Sequence, residues 1–294
     1  MKIGAVFPHQ EIGSDPLVVK DWTQTAEELG YSHVLAYDHV IGAVHENREP
    51  RLTGPYDQNS AFREIFVLFG YMAAITSKVE LVSGILILPQ RQTVLVAKQA
   101  AEVDLLSGGR LRLGVGTGWN HVEYDGLNEE FKNRGVRQEE QVALLRKLWA
   151  EPVVDFTGKF HRIDRAGFKP LPGRKIPIWF GGFADVAFRR AAEMGDGFIF
   201  GSSQEANLAA HVRVQHFLRQ SQRDPTTFGI EAMLNYQAGE AQWRSDIEAW
   251  SEVGANYVSM RSQALRGMGD GLATPREHIL ALEKYWAVVG DLAG

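Results

Sequence analysis

The chain is predicted to fold as a closed (β/α)8 barrel. Short apolar, β-branched runs each lead into an amphipathic stretch, and this pairing repeats eight times along the sequence. Eight parallel strands close a barrel, and 294 residues is ample for a fold that typically takes ~250. The first strand is followed by Pro8-His9-Gln10-Glu11-Ile12-Gly13, with no G-x-G-x-x-G turn, which argues against an open doubly wound sheet.

Each element has a local reason. Residues 2–7 read as the first strand. Asp15-Pro16 opens the first helix, aspartate as N-cap and proline in the first helical position, and Gly30 closes it. Residues 33–37 form the second strand, before a long polar loop over about 40–60. A helix is predicted over 61–77, the third strand over 79–88 and a helix over 93–106 that Ser107-Gly108-Gly109 terminates. The fourth strand covers 110–115 and its helix 134–149. A second long connection, 151–175, carries Gly158, Gly167, Pro170, Pro172 and Gly173 and reads as an insertion. Strands at 177–180, 197–200, 228–236 and 255–260 follow. They alternate with helices at 184–194, 206–220 and 240–253, and Thr274-Pro275 opens a last helix that runs to about 289. No composition break is visible, so a single barrel domain over 1–294 is expected, with insertions after strand two and before strand five.

Composition narrows the function. A net charge of −5 argues against a dedicated nucleic-acid binder. No apolar run reaches the ~18 residues of a membrane span, and the N-terminus reads as a strand rather than a signal peptide. The sequence contains no cysteine, which rules out a thiolate nucleophile or a cysteine metal site and fits a reducing, cytoplasmic setting.

In a parallel barrel the chemistry sits where strands end at their C-termini. Strand two ends in Tyr37-Asp38-His39, where the carboxylate could orient the imidazole for proton transfer or simply cap the next turn. Strand three contains Ser83-Gly84-Ile85, a glycine that marks either a ligand's close approach or a packing need. Strand four runs into Gly116-Thr117-Gly118-Trp119-Asn120-His121. Its glycines could bring backbone N–H groups to an anion or flat ring, and Trp119 could stack on that ring or wall it from water. Strand five ends in Gly181-Gly182-Phe183-Ala184-Asp185 at a helix start, a phosphate cradle or an ordinary turn, and Gly201-Ser202-Ser203 after strand six could extend it. A zinc-type histidine cluster, a G-x-S-x-G elbow and a strand-borne Schiff-base lysine are all missing from the pattern. What remains suits a large planar cofactor, with no metal expected.

The stretch 97–119, from Ala97-Lys98-Gln99 through Ser107-Gly108-Gly109-Arg110 to Gly114-Val115-Gly116-Thr117-Gly118-Trp119, resembles the signature of luciferase-like flavin and deazaflavin oxidoreductases. Asp38-His39, Ser83-Gly84-Ile85, Pro170-x-Pro172 and Gly181-Gly182 match the same family in the same order, across nearly the whole chain. The resemblance implies a cofactor ring at the barrel top, backed by a non-proline cis peptide at Gly84–Ile85. Asp38, His39, Gly116, Gly118 and Trp119 would meet the ring and its side chain. Gly181, Gly182 and Phe183 would form the phosphate loop, with help from Gly201 and Ser202. Asp38-His39 and the 86–89 region resemble the branch that uses the deazaflavin coenzyme F420 more than the FMN monooxygenases. The implied reaction is hydride transfer between F420 and a small organic substrate. His39 would act as acid or base oriented by Asp38, while Trp119 and His121 would line the substrate side. The alternative is an FMN-dependent monooxygenase fed by a separate reductase. A homodimer is a family-level expectation. Trp119 stands where the family's sugar-phosphate dehydrogenases carry a glutamate, which argues against that substrate. Phe183-Ala184 replaces a Thr/Ser pair in the phosphate loop.

Overall fold

The computed structural model describes residues 1–263 and 271–294. Its strands are β1 (Lys2–Val6), β2 (His33–Ala36), β3 (Glu80–Ser83), β4 (Leu86–Ile87), β5 (Leu111–Gly116), β6 (Val154–Thr157), β7 (Arg162–Ala166), β8 (Ile178–Gly181), β9 (Gly197–Phe200), β10 (Gly229–Asn235) and β11 (Tyr257–Arg261). Parallel pairing runs β3-β2-β1-β11-β10-β9-β8-β5, and β3 pairs with β5 to close the ring. This is the (β/α)8 barrel expected from the pattern. The helices are α1 (Pro16–Leu29), α2 (Ile65–Ile75), α3 (Thr93–Leu106), α4 (His121–Gly126), α5 (Arg134–Ala150), α6 (Asp185–Met194), α7 (Gln204–Gln220), α8 (Glu240–Glu252) and α9 (Pro275–Val289).

The local signals behave as their chemistry requires. Asp15 accepts from the Leu17 amide, Pro16 starts α1, and Gly30 at φ 105° returns its N–H to Ala26 and Glu27. Thr274 and Glu277 form a reciprocal capping box on α9.

Four readings need correction. The second helix is shorter than 61–77 because Glu64 caps Val67 at its start and Thr76 is extended at its end. The third strand is broken into β3 and β4 at the cis peptide Gly84–Ile85. The insertion at 151–175 contains an antiparallel hairpin, β6–β7. Glu140 of α5 holds that hairpin through the Lys159 and Phe160 amides and His161 Nδ1, at 2.7, 2.9 and 2.7 Å. Residues 121–126, to which the sequence reading gave no element, form α4.

Two apolar layers result from strand alternation. One face of each strand packs under the helices in a large core. The other face fills the barrel with Val6, Leu35, Tyr37, Val82, Trp179, Ile199 and Met233. Large interior side chains are matched by glycines on nearby strands. A Cβ at Gly4 would lie 2.2 Å from the His33 ring, and one at Gly229 would lie 2.0 Å from Trp179.

The lowest interior layer is ionic rather than apolar. Glu231 accepts from Arg112 Nη1 at 2.5 Å, contacts His33 Nε2 at 2.8 Å, and accepts from Ser259 Oγ. Arg112 Nε reaches Glu80 at 2.9 Å, and its guanidinium lies 4.2 and 4.3 Å from the Trp179 and Tyr257 ring centres. Burial works to raise the Glu231 carboxyl, but Arg112 and then His33 hold it far below the ordinary glutamate range.

A depressed carboxyl contributes stability that is complete above its unfolded value and is lost as pH falls through the folded one. Acidification below about pH 4.5 is therefore expected to erode this contribution. Arg112→Met, which leaves Glu231 buried without its main cation, should cost ~3–5 kcal/mol in urea unfolding at pH 7. A loss under ~1 kcal/mol would show that the layer is held by packing alone.

Candidate active site at the C-terminal face of the barrel

The expected pairing of Asp38 with His39 does not form. Successive residues of an extended chain point to opposite sides, so the two side chains diverge as they leave β2. Asp38 is buried and turns towards β4. Its Oδ2 accepts from the Ile87 amide at 2.9 Å and from Arg91 Nε at 3.3 Å, while Oδ1 takes Arg91 Nη2 at 2.6 Å. Burial opposes the Arg91 charge, but Asp38 and then Glu64 outweigh it and keep the guanidinium firmly protonated. Asp38 thus anchors the segment that follows Gly84–Ile85.

His39 is instead held by Glu123, a fully buried carboxylate in the first turn of α4. Its Oε2 lies 3.1 Å from His39 Nδ1, and its Oε1 accepts from the Val40 amide and, at 3.4 Å, from the Ile41 amide. A carboxylate cannot donate, so Nδ1 carries a proton, and in the neutral ring Nε2 is then an acceptor. The rest of the ring sits in an aromatic cage. Phe62 is 4.9 Å, Tyr56 5.2 Å and Trp119 5.8 Å from its centre. Glu123 was missed from sequence, although Asn120 three residues before it is a helix-start signal. Asn120 does cap α4, accepting from the Val122 amide at 3.2 Å.

Trp119 is covered by the loop after β2, where a Cβ at Gly54 would lie 2.0 Å from the indole. His121 does not face this group. It lies on α4 with its ring 6.1 Å from Phe131. The glycines at the mouth have packing reasons of their own. Ile85 fills the space beside Gly116 and Gly181, at 2.2 and 2.8 Å from their would-be Cβ atoms, and Ile87 does the same for Gly118 at 2.7 Å. Leu35 takes the space beside Gly84. Ile85 therefore sits over the centre of the barrel.

The turn after β8 differs. Gly182 has φ +148°, a region that favours glycine, and α6 starts without a side-chain cap. Asp185, which would repel an anion there, is paired with Arg213 at 2.5 Å. Phe183 is 76% exposed, so it covers nothing in this structure. Gly201 has only Met233 near its open side, at 3.7 Å. Ser202 is fixed by Asn207, which accepts from its amide at 2.9 Å and donates to its carbonyl at 3.0 Å. Open N–H groups at α6, a neutralised Asp185 and an unfilled Gly201 fit an anionic group such as a cofactor phosphate. Among the described residues, no group of three or more His, Asp or Glu is placed to hold a metal, and no helix is long and apolar enough to cross a membrane.

The chain belongs to the luciferase-like monooxygenase family, whose profile matches residues 2–286. It is an F420- or flavin-dependent oxidoreductase of that family. It is 33% identical to an F420-dependent glucose-6-phosphate dehydrogenase of Segniliparus rotundus, over 94% of this chain and 82% of the relative. It is 28% identical to the pyrimidine monooxygenase RutA of Allorhizobium ampelinum, over 78% of this chain and 70% of the relative. Its fold matches the monooxygenase RslO1 of Streptomyces bottropensis with a TM-score of 0.80 at 17% identity, over 99% of each chain.

The two acidic anchors should separate experimentally. Glu123→Gln is expected to shift the His39 ring out of its Nδ1–H tautomer, read from imidazole 15N shifts. Asp38→Asn should leave that tautomer in place while lowering stability by ~1–3 kcal/mol, because Arg91 loses its buried partner. Equal effects of both variants on His39 would refute this division.

Proposed function

We propose that this protein transfers a hydride between coenzyme F420 and a small organic substrate at the C-terminal face of the barrel. The observation that carries this reading is the imidazole of His39 just after β2, held at Nδ1 by the buried carboxylate of Glu123, which leaves Nε2 to accept a proton. When bound, the deazaflavin ring supplies a carbon that takes or gives the hydride. His39 would take up or return the accompanying proton at Nε2, with Glu123 at Nδ1 stabilising the protonated ring. Asp38 and Arg91 hold the segment after Gly84–Ile85, and that turn with Gly116 and Gly118 would help to hold the ring. Trp119, roofed by the loop at Gly54, keeps water from the His39 side. Gly181, Gly182, Phe183 and Gly201 would hold the phosphate end through their backbone, with the hydroxyl of Ser202, whose amide is held by Asn207, beside them. A tryptophan at position 119 in place of an acid favours an uncharged substrate over a sugar phosphate. The site belongs to one barrel domain working in the cytoplasm.

Similarity to RutA supports a second reading, an FMN-dependent monooxygenase served by a separate reductase. A fluorescence titration of the cofactor-free protein decides between them. Tight F420 binding with weak FMN binding is expected, and FMN preference with oxygen consumption by reduced FMN would overturn the first reading.

A homodimer is also part of this proposal. Val67 and Tyr71 on α2, and Leu105 and Leu106 on the neighbouring α3, expose apolar surface. Light scattering should give a mass near twice the 32.8 kDa chain, and Val67→Lys with Leu106→Lys should return it to one.

A further inference from the structure

The motif Pro170-x-Pro172 has no part in the site at the barrel mouth. It leads instead into a cleft at the opposite end, lined by residues 172–176, which run into the start of β8, and by the last turns of α5. The cleft has a volume of about 420 Å³, within the range of small-ligand sites.

Its lining is of two kinds. Trp149, Pro172 and Ile176 give it an apolar wall. The Trp149 Nε1–H donates to the Ala97 carbonyl at 2.9 Å, so the indole has no polar atom left for a ligand. The charged members are Arg146, Arg174 and Lys175, and the lining includes no acid.

The acids that hold these cations stand outside the cleft and leave each of them an open donor. Arg146 spends only Nη2, on the Met194 carbonyl at 2.7 Å and Asp196 at 3.0 Å. Arg174 spends Nε and Nη2, on Asp104 at 3.1 and 2.7 Å and on the Leu111 carbonyl at 2.6 Å. Neither Nη1 has a hydrogen bond among the described residues, and neither is sealed from solvent. Lys175 Nζ gives one of its three protons to Asp196 at 2.6 Å, and its side chain is 65% exposed. An adjoining space of about 370 Å³ shares Arg146 and Lys175, but Glu193 and Asp196 line it, so an anion belongs in the first cleft.

We propose that this cleft is a second ligand site, which binds a flat organic anion such as an aromatic carboxylate. The carboxylate accepts charge-assisted hydrogen bonds from Arg146, Arg174 and Lys175, and the ring displaces water from the apolar wall. Neither part suffices alone. The cations are exposed enough that a bare anion gains little from them, and the wall is too small to hold an uncharged ring.

The test is a titration of the full chain with 2-naphthoate, read by calorimetry and by saturation-transfer NMR of the ligand. A Kd of about 0.1 to 1 mM is expected at low salt, weakening about threefold in 0.5 M salt. 2-Naphthamide, which keeps the ring and lacks the charge, and inorganic phosphate, which has charge and no ring, should each bind at least about tenfold more weakly. Ala150→Glu puts a negative charge at an exposed position of the lining and should weaken naphthoate about tenfold. Lys175→Gln should weaken it about threefold, and both variants should melt within about 3 °C of the parent. Absence of binding at millimolar naphthoate, or equal binding by the parent and both variants, would overturn the proposal. Naphthamide as tight as naphthoate would mean an apolar cleft without preference for anions, and phosphate as tight would mean an adventitious ion only; either result also overturns it. No cofactor enters the titration, so its outcome is independent of the proposed redox function.

Discussion

One guanidinium organises the interior of this barrel. Arg112 joins Glu80 on β3 to Glu231 on β10, across strands far apart in the ring, and is clamped between Trp179 and Tyr257. Each of those partners needs the others. Glu231 tolerates burial because Arg112 carries the opposite charge and His33 contacts it, and the His33 and Trp179 rings fit because Gly4 and Gly229 leave room. An ionic layer is costly to bury and unforgiving of misalignment. It therefore reports strongly on strand register at the lower end of the barrel.

The upper end uses the same physics for another purpose. Asp38, Arg91 and Glu64 form a chain that fixes the segment after β3, and Glu123 fixes His39 through an imidazole and two amides. Both carboxylates are buried and both are satisfied. The groups they hold are left with one defined direction of hydrogen bonding. A rigid surround of this kind is what proton transfer between fixed groups requires.

His39 shows how such a surround fixes what a side chain can do. Each imidazole has two nitrogens, and the partner of Nδ1 decides what Nε2 can do. At His39 a carboxylate on Nδ1 leaves Nε2 of the neutral ring an acceptor. Residue type alone carries no trace of that choice.

Much of the fold was legible because its signals are local. Strand and helix alternation, the Asp15-Pro16 start, the Gly30 stop and the Thr274 box all act within a few residues. The hairpin at 154–166 and helix α4 escaped because each is short and is held by distant partners, Glu140 for the hairpin and the 39–41 segment for α4. Asp38, His39, Gly182 and Trp119 could be singled out from their places at strand ends, where a parallel barrel must put its chemistry. Their partners could not. Arg91 and Glu123 lie 53 and 84 residues from the groups they hold. The sequence by itself determined a closed barrel, its ends and the residue types at its mouth, since these follow from periodicity and strand order. Only the tertiary structure decided which carboxylate faces which imidazole, because hydrogen-bond direction is set by groups that meet only once the ring has closed.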